Sequence, residues 1–68
     1  MNPDQTLIQS AYEDAIKQLY ARLFQGYTES GGDAAQQKLA DQRFLAGVAL
    51  ARSTRERAVA LLAGAFPS

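Results

Sequence analysis

Between residues 7 and 27 the apolar positions recur as adjacent pairs every four residues: Leu7/Ile8, Ala11/Tyr12, Ala15/Ile16, Leu19/Tyr20, Leu23/Phe24, then Tyr27. This is a helical repeat, and because four exceeds the helical period the apolar stripe drifts by roughly 40° per repeat and covers a wide face. Upstream, "NPDQ" is a helix start: Asn2 as N-cap, Pro3 at the first helical position, Asp4 in the positive first turn and Gln5 completing a capping box. The pattern predicts a helix over residues 3–29.

A second pattern runs Phe44, Val48, Ala51, Arg55, Ala58/Val59, Leu62, Ala65/Phe66, close to heptad spacing. Asp33 is its N-cap, with Gln36 three residues on and two alanines in the first turn. The predicted helix spans 34–64, ending near Gly64, and Pro67 forbids its continuation. Between the two helices, "ESGGDA" reads as a stop, a turn at 30–33 and a restart, with Gly31 or Gly32 in the left-handed conformation. No strand precedes these glycines and no lysine follows in Walker spacing, so a phosphate-binding loop is disfavoured.

So short a connection makes the helices antiparallel neighbours. The fold class is therefore all-α, a two-helix antiparallel hairpin in one domain covering residues 1–68. Folding about residues 31 and 32 makes residues whose numbers sum to roughly 63 face each other, for helices of equal rise. Tyr20 is then expected near Phe44, Ile16 near Gly47 and Val48, and Tyr12 near Ala51. Tyr20, Phe24 and Phe44 are assigned to the core. Gly47 and Ala51 provide a small-xxx-small spacing for close backbone approach.

At 68 residues a single core supplies only a few kcal/mol. With no cysteine and no histidine, disulfides and ordinary zinc sites are unavailable as staples. A lone hairpin would also leave Leu7, Leu19, Leu23, Leu45, Leu50 and Leu61 partly in water, although 47% of the residues are hydrophobic. Dimerisation into a four-helix bundle is the expected remedy. Its interface is expected to use Ile8, Tyr12, Leu19, Leu23, Tyr27, Leu45, Arg55 and Phe66, the tyrosines because amphipathic rings suit interfaces. Arg55 occupies a core position in the heptad stripe, opposite Ile8 and Tyr12; it either sets the register of an assembly by pairing with a carboxylate of a neighbouring chain or, the favoured reading, lays its stem over the core with its head toward water.

Catalytic chemistry finds little to work with. Without His or Cys there is no histidine-based triad and no thiolate, and a di-metal carboxylate bundle would need Glu-x-x-His pairs. The expectation is a non-enzymatic protein with no cofactor and no metal. Seven Lys and Arg balance seven Asp and Glu, which disfavours nucleic acid as partner. The one local candidate for an anion or nucleic-acid contact is the set Arg43, Arg52, Arg55 and Arg57, against the plainer reading of "ARSTRERA" as a solvated face in which Glu56 pairs with Arg52. No apolar run approaches the length of a membrane span, and "MNPDQTLIQS" lacks the basic-then-apolar start of a signal peptide, so a soluble cytoplasmic protein is expected.

The layout is like that of the small plasmid-copy-control hairpin dimers. "GGDA", taken with that layout, resembles the small helical-hairpin partners of type III needle chaperones, which implies a subunit whose apolar face covers an amphipathic helix of another protein. The leading expectation is a protein–protein interaction module: a hairpin that self-associates and presents a surface to a second protein. The chaperone-like subunit and the arginine-based nucleic-acid binder are the alternatives.

Overall fold

Gly31 and Gly32 both take positive φ, 58° and 91°, and reverse the chain between two helices. An L-residue carrying a Cβ is disfavoured in this region, which is why the break falls at the paired glycines. The computed structural model describes residues 3–65. It consists of α1 (Pro3–Ser30) and α2 (Ala34–Ala65), packed side by side and antiparallel in a hairpin 53 Å long and 15 by 12 Å across. Each helix runs one residue further than its pattern predicts. The N-cap role expected of Asn2, the stop expected of Pro67 and the interface role expected of Phe66 lie outside the described residues.

The turn closes through local hydrogen bonds. Ser30 Oγ donates to the Tyr27 carbonyl at 2.7 Å and Thr28 Oγ1 to the Phe24 carbonyl at 3.0 Å, giving further partners to carbonyls at the end of α1. Asp33 N–H donates to the Ser30 carbonyl at 3.0 Å, while Asp33 Oδ1 accepts from the Ala35 and Gln36 amides at 2.9 and 3.3 Å. Asp33 is thus the N-cap. The returning arm of a capping box is not used, because Ser30 already takes the Asp33 amide. The carboxylate also fills the place at the helix start where an external anion would sit. Asp33→Ala is expected to cost about 1 kcal/mol, read as a lower midpoint in urea denaturation.

The seam between the helices takes one residue from each apolar pair of α1 except Ala15/Ile16, both of which are half-buried. Ile8, Tyr12, Ala15, Leu19, Leu23 and Gly26 are partly covered by α2, which contributes Ala40, Phe44, Gly47, Val48, Ala51 and Arg55. Ala40 is the one buried residue among those described. Residues that meet have numbers summing to 66–68: Leu19 lies where a Cβ on Gly47 would sit, Gly26 faces Ala40, Arg55 covers Tyr12 and Tyr27 bonds Asp41. The expected sum of 63 is therefore off by about one helical turn. Every Cα–Cβ bond tilts toward its helix N-terminus, away from the turn on α1 and back toward it on α2. Side chains consequently meet when the α2 residue lies further along the chain than the axial count suggests.

Tyr20 and Phe24, expected in the core, are 63% and 65% exposed. Consecutive residues sit about 100° apart on a helix, so Leu19 and Leu23 enter the seam and their neighbours turn out onto its flank. Phe44 is half-buried, as expected.

Candidate functional site

Two open faces lie on opposite sides of the plane containing the two helix axes. The first is a shallow groove of about 520 Å³ whose floor and walls include Ala11, Ala15, Gly47, Leu50, Ala51 and Ala58. Alanine and glycine supply five of its lining residues, with Ile8, Tyr12, Leu19 and Leu50 as the large apolar ones. Leu19 occupies the space left by the missing side chain of Gly47, with its Cδ1 and Cγ at 3.1 and 3.3 Å from where a Cβ would be. Arg22 and Arg55 also line the groove, beside Gln18 and Thr54, and no carboxylate does.

Arg55 sits in the seam with its guanidinium carbon 4.2 Å from the centroid of the Tyr12 ring. This is a cation–π contact, worth on the order of 0.5–1 kcal/mol where partly exposed. It explains how the heptad stripe accommodates an arginine: the ring takes the face of the guanidinium and the rest of the head reaches the groove.

The second face carries Tyr20, Phe24, Tyr27 and Leu45, flanked by Ile16 and Val48. At its turn end Tyr27 Oη donates to Asp41 Oδ1 at 2.5 Å, a bond that ties α1 to α2 outside the seam. That bond, then the partial desolvation and the negative charge of Asp41, holds the Tyr27 phenol above its ordinary pKa. A raised folded-state value means that the stabilisation is fully present below the ordinary tyrosine value of about 10 and is lost as pH rises through the raised one. In a tyrosinate absorbance titration Tyr27 is expected to ionise above its ordinary value, and Asp41→Asn to bring it back down.

The structure distributes the sequence candidates over three places. Ile8, Tyr12, Leu19, Leu23 and Arg55 lie between the two helices, half-buried within one chain. Tyr27 and Leu45 lie on the aromatic face. The four arginines do not converge: Arg55 is in the seam, Arg52 turns toward the aromatic face, and Arg43 and Arg57 project from the groove side of α2, as rotation by about 100° per residue requires. Among the described residues Arg43, Arg52 and Arg57 make no ion pair, and Glu56 does not pair with Arg52. The order Arg then Glu at this spacing is the weaker one on a helix. Lys17 and Asp14, both exposed, form an ion pair at 4.0 Å.

Two features escaped the sequence reading. Gly26 is a close-approach site, since a Cβ there would stand 3.0 Å from that of Ala40. A small-small match across the turn is its only sequence signal. Tyr20 and Phe24 join Leu45 on one surface, which the helical rotation gives once the seam is known.

The chain matches no known family model. Comparison with curated proteins and with solved structures likewise returns no match. Among the described residues, no cluster of three or more His, Cys, Asp or Glu side chains is placed to hold a metal ion, and no helix is long and apolar enough to cross a membrane.

Proposed function

We propose that this chain is a non-enzymatic protein–protein interaction module, a cytoplasmic helical hairpin that pairs with a second copy of itself and presents a remaining face to another protein. The observation that carries the reading is the shortage of core: among the described residues Ala40 alone is buried, while eight large apolar side chains are 41–68% exposed. A chain of this length without cysteine or histidine lacks disulfides and the usual zinc ligands, and association is the route to a cooperatively folded state that we favour. The exposed residues also lie on two opposite faces, so one can be covered by a copy while the other stays available.

Sedimentation equilibrium tests the first half of this reading. A mass of twice the 7.4 kDa chain is expected. A folded monomer at all concentrations would overturn it.

The groove favours one further reading, a chaperone-like subunit. Its alanine and glycine lining allows an amphipathic helix of another protein to approach closely, and its two arginines suit acidic residues on that helix. On this reading the charge reversals Arg22→Glu and Arg55→Glu abolish binding of an acidic amphipathic helix. Unchanged binding would remove it. Nucleic-acid binding gains nothing from arginines that point in different directions.

A further inference from the structure

The aromatic face is polarised along its length. Tyr20, Phe24, Tyr27 and Leu45 lie in the half nearer the glycine turn. Toward the free ends the same side carries Gln5, Gln9 and Glu56, which line one shallow depression with Arg55 and the half-buried Ile8 and Val59, and also Glu13 and Arg52; no aromatic side chain stands exposed there among the described residues. On this side α1 carries Glu13 and α2 carries Arg52, together with the carboxylates Asp41 and Glu56, whereas Arg22, Arg43 and Arg57 belong to the groove side.

We propose that a second copy of the chain seats on the aromatic face with both glycine turns at the same end, so that α1 of each copy lies against α2 of the other. This rests on the self-associating reading above and adds the face, the symmetry axis and the pairing of helices. A closed dimer has a twofold axis, and two hairpins stacked with full overlap can use one of two axes. An axis parallel to the helices brings the turns together and sets α1 over the partner's α2, which puts Glu13 opposite the partner's Arg52 in both contacts. An axis across the helices sets the turns at opposite ends and puts α1 on α1 and α2 on α2, which leaves Glu13 and Arg52 without each other. Packed helices are 8–10 Å apart, about one Debye length at physiological salt, so charges on the facing sides interact while those on the groove side are largely screened.

The polarity gradient selects the same arrangement independently. In the hairpin, residues at one level have numbers summing to about 66, and an axis parallel to the helices preserves level. Tyr20 then faces the partner's Leu45, and Glu13 faces the partner's Arg52. Reversal end to end would lay the aromatic half over Glu13, Arg52 and Glu56 and strip water from charges without pairing them. The occupant is therefore a chain whose charge and polarity mirror this one, which a second copy satisfies.

The absence of cysteine permits a direct test. Gln36→Cys, at an exposed position beside the turn, carries one spin label per chain, and pulsed dipolar spectroscopy reads the distance between labels. Turns at one end give a distance below about 30 Å, set by two or three interhelical spacings. Turns at opposite ends give about 40 Å or more, from a rise of 1.5 Å per residue along α2. A long distance in a sample of dimeric mass overturns the arrangement and leaves self-association standing. A monomeric mass with no dipolar coupling overturns both.

Charge reversal supplies the second measurement. Glu13→Arg or Arg52→Glu alone is expected to raise the dimer dissociation constant about ten-fold, since each change creates two repulsive contacts. The double exchange is expected to restore it to within about two-fold. Failure of the double exchange to recover affinity would overturn the facing of Glu13 with the partner's Arg52.

Discussion

Leu45→Glu is expected to convert the assembly into a poorly helical monomer, while Leu50→Glu leaves its mass unchanged. The two leucines are equally suited to the comparison, at 65% and 68% exposed on the same helix. They differ in face: Leu50 lines the groove and Leu45 stands among the aromatic residues. Burying a leucine contributes about 1.5–3 kcal/mol, and a carboxylate placed there without a partner adds a desolvation cost. Twofold symmetry counts each term twice, so the loss exceeds about 4 kcal/mol, or about a thousand-fold in dissociation constant. Helicity falls with it, because within one hairpin the seam residues are only half-buried and Ala40 is the one fully covered among those described. Sedimentation and circular dichroism on both variants check this. Dissociation by Leu50→Glu instead would move the seat to the groove.

The second large effect is expected at the turn end of the seam. Gly26→Leu should abolish cooperative folding, and Gly26→Ala should change stability by less than about 1 kcal/mol. A Cβ at residue 26 would lie 3.0 Å from the Ala40 Cβ, an atom fixed to its backbone that cannot rotate away. For alanine the strain is relieved by a shift of a few tenths of an ångström and is offset by the better helix propensity of alanine over glycine. Leucine adds three more carbons where the turn at residues 31–33 holds the helices together. Overpacking costs typically 1–3 kcal/mol or more, comparable to the whole stability of a domain this small. Urea denaturation of the three proteins separates these cases.

The hairpin was legible because its signals are local. "SGGD" states the reversal in three ways: a hydroxyl for the last carbonyls, two glycines for positive φ, and a carboxylate for the next helix's amides. The seam was legible on α2, where Phe44, Val48, Ala51 and Arg55 keep close to heptad spacing. It was less so on α1, where each repeat offers two apolar residues and the pattern does not say which one faces inward. Tyr20 and Phe24 were assigned to the core for that reason, yet the register favours Leu19 and Leu23. That register follows from the tilt of side chains toward each helix N-terminus, which a count of backbone rise omits. The contact between Arg55 and Tyr12 was half visible: the stripe placed the arginine opposite the tyrosine, and only the folded chain gives the ring's position over the guanidinium.

If this chain is stable because it associates, its melting temperature depends on its concentration. Thermal melts followed by circular dichroism across a hundred-fold range of protein concentration are expected to shift upward together with the dimer fraction, since partner binding stabilises the folded state by mass action. A sharp, cooperative melt at the same temperature throughout would mean that a single hairpin is stable without a partner.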